Sequence, residues 1–185
     1  FRSMLKLKKE NIKTISIINN KSSIIAKNSD YNLYTYAGPE IAVATTKAYS
    51  CELIVLYLFS LYLAKAKNNI NANEYKGYIR KIKEIPNKVE EILNNKEEIQ
   101  KLSLNYLNQK TIFFIGRGID YSTALEGALK LKEVSYINAN AYASGELKHG
   151  PMSLVDADVS IISIITQEQL FDKSISNMIE INSRG

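Results

Sequence analysis

Apolar positions along this chain switch between strand-like runs and helical stripes. The β-branched run 14–18 (Thr-Ile-Ser-Ile-Ile) reads as a short buried strand closed by Asn19-Asn20. Residues before it read as the tail of a helix, and 22–27 as a brief helix. The stretch 31–36 alternates enough for a second strand, which Ala37-Gly38-Pro39 turns away. Thr45-Thr46 offers a cap for a long helix to about Lys67, apolar nearly all round and so expected to be covered on most faces. After a polar break at 68–73 the pattern stays helical to about Gln109. Ile79, Ile82, Ile85, Val89, Ile92 and Leu93 form its stripe, and Pro86 is placed to start a new helix.

At Thr111 the rhythm changes again. Residues 111–115 (Thr-Ile-Phe-Phe-Ile) predict a strand, Gly116-Arg117-Gly118 a tight turn, and 121–135 a helix. The segment 138–151 reads as irregular, 159–165 as another strand, and a helix follows from about Glu168. Continuous apolar strands alternating with helices argue an α/β fold with a parallel sheet covered on both faces. The expected organisation is two partial subdomains, 1–68 and 109–185, joined by a helical connector over 69–108. Both ends read as interrupted elements.

Composition narrows the function classes. With 45% hydrophobic residues among 185, the chain can bury a core. The net charge of +5 comes from lysines scattered among acids, without the basic patch nucleic acid requires. Lys6, Lys8 and Lys9, followed at once by Glu10, read as a solvated helix end. Cys51 is the single cysteine, so an internal disulfide is excluded; its apolar neighbours mark it as a small buried hydrophobe. No signal peptide opens the chain, and the most apolar run, 53–64, is too short to span a membrane. A cytoplasmic location, with no membrane partner, is the expectation.

The chemistry-bearing residues gather in the second half. Strand, Gly116-x-Gly118, then helix invites a dinucleotide reading, but the third glycine and the acid closing the next strand are missing. No nicotinamide cofactor is expected, nor any other. On the helix 121–135, Glu126, Lys130 and Glu133 share one face, with Ala124, Ala128, Leu131 and Ser135 opposite. Spacing alone fits an exposed salt-bridged face. Spacing favours that reading over the other, an acid and a lysine turned into a cleft, the carboxylate moving a proton while the ammonium supports negative charge. The only histidine, His149, lies in the Gly- and Pro-framed run 145–151, a setting that displays functional residues. One histidine and one cysteine leave too few ligands for a metal site of the zinc type.

Two long motifs resemble one family. Residues 124–136 (ALEGALKLKEVSY), continued by 141–151 (AYASGELKHGP), resemble the signature of the glutamine–fructose-6-phosphate aminotransferase, or glucosamine-6-phosphate synthase, family. Residues 37–48 (AGPEIAVATTKA) are similar to its matching segment in a preceding subdomain. The resemblance covers essentially the whole chain. It implies a pair of sugar isomerase (SIS) subdomains, each a three-layer α/β/α unit, with 1–68 the back half of the first and 109–185 the front half of the second. It implies that fructose 6-phosphate receives glutamine-derived ammonia and becomes glucosamine 6-phosphate in hexosamine biosynthesis. Carried over by motif position, Glu133 would transfer the proton between the first two sugar carbons. Lys130 would steady charge on the sugar oxygens. His149 would assist ring opening from the neighbouring subunit of a homodimer, and Val43 and Thr45 would border the sugar.

The resemblance also implies partners and absences. A glutaminase domain would belong to the parent chain. The family's phosphate cradle and its imine-forming lysine fall outside these residues, so the chain alone is expected not to turn over. Two rival readings remain open at this stage: an SIS-type amino-sugar-phosphate deaminase or deglycase, and a non-catalytic sugar-phosphate sensor.

Overall fold

The computed structural model describes residues 1–184, which divide into two compact units, Phe1–Asn94 and a second that begins at Asn95. Unit 1 opens with helix α1 (Arg2–Lys9), whose last turn carries Lys6, Lys8 and Lys9 beside the helix's exposed carbonyls, the favourable end for cations. Strands β1 (Ile15–Ile18) and β2 (Tyr31–Tyr34) pair in parallel, Ile15 opposite Tyr31, across the short helix α2 (Ile24–Asn28). Ser23 caps α2 by accepting from the Ala26 N–H. The Asp30 carboxylate ties the start of this pair, accepting from the Thr14 N–H at 2.9 Å and its hydroxyl at 2.7 Å.

Helix α3 (Thr46–Ala66) packs on β1 and on α4 (Ala72–Asn94), yet no residue of α3 is buried, contrary to the covered helix the sequence predicts. Leu56, Tyr57, Leu58, Tyr62 and Leu63 stand exposed, and Cys51 is half-buried rather than buried. By length and composition α3 could cross a membrane, its mean hydropathy being 1.3, although the run 53–64 taken by itself is too short. The expected cap also fails. Thr45 sits in the left-handed region at φ 52° and makes no cap bond. Glu40 takes that place, its carboxylate accepting from the Ala48 N–H at 3.0 Å.

Pro86 does not begin a helix, because α4 runs through it unbroken. A proline inside a helix removes one N–H and costs about 3 kcal/mol against alanine. Here it lies on the exposed face, where water can reach the carbonyl left unbonded.

Unit 2 begins with α5 (Lys96–Leu104) and is built on three parallel strands in the order β4-β3-β5. These are β3 (Thr111–Gly116), β4 (Asn138–Ala143) and β5 (Val159–Ile164), with helices α6 (Ile119–Ser135) and α7 (Phe171–Asn182). Strand β4 overturns the irregular reading of 138–151. Its Asn-Ala-Asn-Ala-Tyr-Ala sequence has little intrinsic strand preference. The ladder to β3, from Thr111–Asn138 to Gly116–Ala143, supplies what propensity does not.

Side-chain alternation on the central strand gives the sheet two covered faces. Ile112 and Phe114 pack with Ala124, Ala128 and Ala139 under α6. Ile115 packs with Leu147, Met152 and Ile181 on the other side. Helix, sheet and helix therefore form the three layers expected of an α/β/α unit.

Two glycines bring α6 to the sheet. A Cβ on Gly116 would fall 2.6 Å from the Tyr121 nitrogen and closer still to the Asp120 carbonyl, so only glycine permits the turn to close. Gly118 takes φ +58°, where a side chain is strained.

Asp120 then locks the turn to the loop after β5. Its buried carboxylate accepts from the Thr166 N–H at 2.9 Å and from the Thr166 hydroxyl. Burial pushes this carboxyl up, but the donors of Thr166 and Gln167 together hold it below the ordinary value. Its contribution is thus present above the usual aspartate range near pH 4 and is lost as pH falls through the lowered folded value. Asp120→Asn is expected to cost about 1–3 kcal/mol and to flatten the acid limb of stability. Urea unfolding at pH 7 and pH 3 checks both; equal stabilities of the two proteins at pH 7 would count against the lock.

Candidate active site

The small residues Ala124 and Ala128 set α6 down on the sheet, which turns the residues half a turn away outward. On that outer face the Lys130 ammonium donates to Glu126 at 3.0 Å, one turn before it, and to Glu133 at 3.3 Å, one turn after. The three side chains are 22–31% exposed, so water reaches them but does not surround them. The bond to Glu126 raises the Lys130 pKa; burial works against it, and the bond and charge of Glu133 add to it. Lys130 is therefore a fixed cation at neutral pH between two carboxylates.

One ammonium shared by two carboxylates leaves one net negative charge. Glu126 also borders a depression of about 480 Å3 with Ser122, Leu125, Leu129, Asn140 and Tyr142, within the size range of small-molecule sites. Lys130 and Glu133 are not part of its lining. A carboxylate held against a cation can accept and return a proton. The cation beside it can hold an oxygen that gains negative charge in the same step. Glu126 is the member that the sequence-based set of site residues omits, although its four-residue spacing from Lys130 is a usable signal.

The other candidates stand elsewhere. Leu147, fully buried, anchors the short 3-10 turn Leu147–His149 into the second core, and this leaves His149 at the surface. The His149 backbone N–H donates to the Glu146 carbonyl at 3.0 Å, while no hydrogen bond or ion pair joins its imidazole to the trio. Val43 and Thr45 lie in unit 1, in the loop before α3. The Thr45 hydroxyl donates to the Val43 carbonyl at 3.2 Å, and Val43 is 89% exposed, with buried Ala44 pinning the loop between them. Among the described residues no group of His, Cys, Asp and Glu could hold a metal ion.

Comparison with known proteins matches the SIS domain family over residues 2–62 and 105–185. The chain belongs to the SIS domain family. This SIS chain is 46% identical over 178 residues to the glutamine–fructose-6-phosphate aminotransferase (isomerizing) of Clostridium tetani, covering 96% of the chain and 29% of that relative. It is 47% identical, with the same coverage, to the enzyme of that name from Caldanaerobacter subterraneus. Its fold matches the C-terminal domain of glucosamine-fructose-6-phosphate aminotransferase from Francisella tularensis with a TM-score of 0.95 and 41% identity. That match covers 99% of this chain and 52% of the other. The SIS chain thus spans under a third of its full-length relatives.

Proposed function

We propose that this chain is the part of an isomerizing glutamine–fructose-6-phosphate aminotransferase that rearranges the sugar. The carrying observation is the Lys130 ammonium held between Glu126 and Glu133 on one helix face. The similarity to the Clostridium tetani and Francisella tularensis proteins supports the choice of substrate.

In this reading ammonia replaces the C2 carbonyl oxygen of open-chain fructose 6-phosphate, which leaves as water, and forms a protonated imine. The Glu133 carboxylate takes a proton from C1, and the released electron pair forms a C1–C2 double bond and neutralises the imine. The same carboxyl returns the proton to C2, while the C1 hydroxyl gives its proton to water and becomes the aldehyde of glucosamine 6-phosphate. Lys130 holds the C1 oxygen as negative charge gathers there, and Glu126 holds Lys130 in place. Val43 and Thr45 border the sugar. His149 assists ring opening from the neighbouring subunit of a cytoplasmic homodimer, and a glutaminase domain in the parent chain supplies the ammonia. Residues 1–68 form the back half of a first SIS subdomain, 69–108 a connector and 109–185 the front half of a second.

The test is an assay of the full-length parent protein with fructose 6-phosphate and glutamine, product glucosamine 6-phosphate being read by mass. Product that depends on glutamine supports the reading. Saturable sugar-phosphate binding without product would move the protein to the sensors. Ammonia release from glucosamine 6-phosphate with no synthesis would make it a deaminase.

A further inference from the structure

The carboxyl ends of β4, β3 and β5 lie together, and the chain leaves β3 for β4 on one side and lays β5 on the other. Open parallel sheets bind ligands outside their carboxyl ends where strand order reverses. At that place stands Arg117, a half-buried residue of the β3–α6 turn. Its guanidinium gives one bond, from Nη1 to the Asn177 Oδ1 at 3.1 Å. Among the described residues Arg117 takes part in no ion pair. A guanidinium offers five donors, so a neutral amide orients this one without neutralising it.

The surroundings keep that cation in one place and leave room around it. The Gln167 Nε2 donates to the Arg117 carbonyl at 2.6 Å, and the Ser144 N–H donates to the Gly116 carbonyl at 2.9 Å, so both neighbouring loops hold the turn. Gly145 faces the guanidinium. A Cβ there would sit 3.2 Å from Nη1 and 3.6 Å from Nη2 and would crowd it. Three of the acids at this end of the sheet have other settings, while Glu146 stands exposed beside Gly145. Asp120 is engaged by Thr166, and Glu168 and Asp172 line a separate depression with Phe171. Arg117 carries a positive charge at this edge that none of the ion pairs neutralises.

We propose that Arg117, oriented by Asn177 and cleared by Gly145, anchors a second anion site that takes a phosphate oxyanion, free or carried on a small metabolite. Arginine's planar fork suits phosphate through paired N–H donors. The site is separate from the Lys130 trio. Lys130 lies about 16 Å along α6 from Ile119 at roughly 1.5 Å per residue, further than one hexose phosphate reaches.

The experiment titrates the 185-residue chain with inorganic phosphate and, separately, with fructose 6-phosphate at low ionic strength. Binding is followed by 31P line broadening, with circular dichroism confirming the fold. Arg117→Gln is expected to weaken binding at least tenfold, Gly145→Ala to weaken it while keeping the charge, and Lys13→Gln, in the other unit, to leave it unchanged. Binding of both probes assigns the site to the free oxyanion; binding of the ester alone assigns it to a phosphorylated metabolite. The proposal is overturned by absence of binding at millimolar probe, by equal binding to Arg117→Gln, or by loss in Lys130→Met in its place. If Arg117→Gln does not fold, unaltered binding to a folded Gly145→Ala overturns it as well. No readout here depends on synthase activity, so this site and the proposed reaction stand or fall separately.

Discussion

Glu133→Gln in the full-length protein is expected to lower glucosamine 6-phosphate formation at least about a hundredfold, the scale of a lost general base. The amide keeps the size of the side chain, and its oxygen can still accept from Lys130, which now lies 3.3 Å from the carboxylate. What it loses is the capacity to take a proton from carbon and return it. The loss should therefore fall on kcat, with KM for fructose 6-phosphate little changed, because binding precedes the step proposed for Glu133. Lys130 keeps its shorter contact, 3.0 Å to Glu126, so the geometry of the face persists. Activity within tenfold of the wild type would remove Glu133 from the proton-transfer role and leave it a salt-bridging acid.

Gly116→Ala is expected to be the most damaging single methyl group in unit 2. The added carbon meets the Asp120 carbonyl group and, at 2.6 Å, the Tyr121 nitrogen, all of them backbone atoms of the first turn of α6. Overpacking costs about 1–3 kcal/mol where side chains can yield. Backbone yields less, so the upper end, about 3 kcal/mol, is expected, a drop of roughly 6–12 °C in Tm for a chain of this size. Moving the start of α6 also moves the face that carries Glu126, Lys130 and Glu133, so in the full-length protein the proposed product formation should fall with Tm. A variant with unchanged Tm and activity would show that the turn has room the close approach denies.

Much of this was legible in the residues themselves. Strand β3 announces itself by its apolar run and β5 by its β-branched residues around Ser160 and Ser163, and α6 by the alternation of small and charged faces. Strand β4 did not, since Asn138, Ala139, Asn140 and Ala141 have no strand signature. Its place comes from the free edge of β3 and from Ala139, fully buried in the core beneath α6. Pro86 misled because the rule against proline in helices is a cost rather than a prohibition. Thr45 misled because a good capping residue adopts the wrong φ when Glu40 reaches the helix end first. In the site, spacing placed Glu126, Lys130 and Glu133 together but could not choose between a solvated face and a working one. That choice drew on the longer motif. His149 lies outside what pattern can place, because the buried neighbour Leu147 fixes its segment and sequence does not show that contact.

The doubly bonded Lys130 has one more consequence, for covalent chemistry. An amine attacks a carbonyl or an activated ester through its lone pair, and an ammonium has none. With its pKa raised, Lys130 stays protonated at pH values where exposed lysines begin to yield a free amine. It is therefore a poor partner for imine formation with the open sugar. Mapping the chain with an N-hydroxysuccinimide ester near pH 8.5 should label Lys13, whose side chain is 76% exposed, well before Lys130.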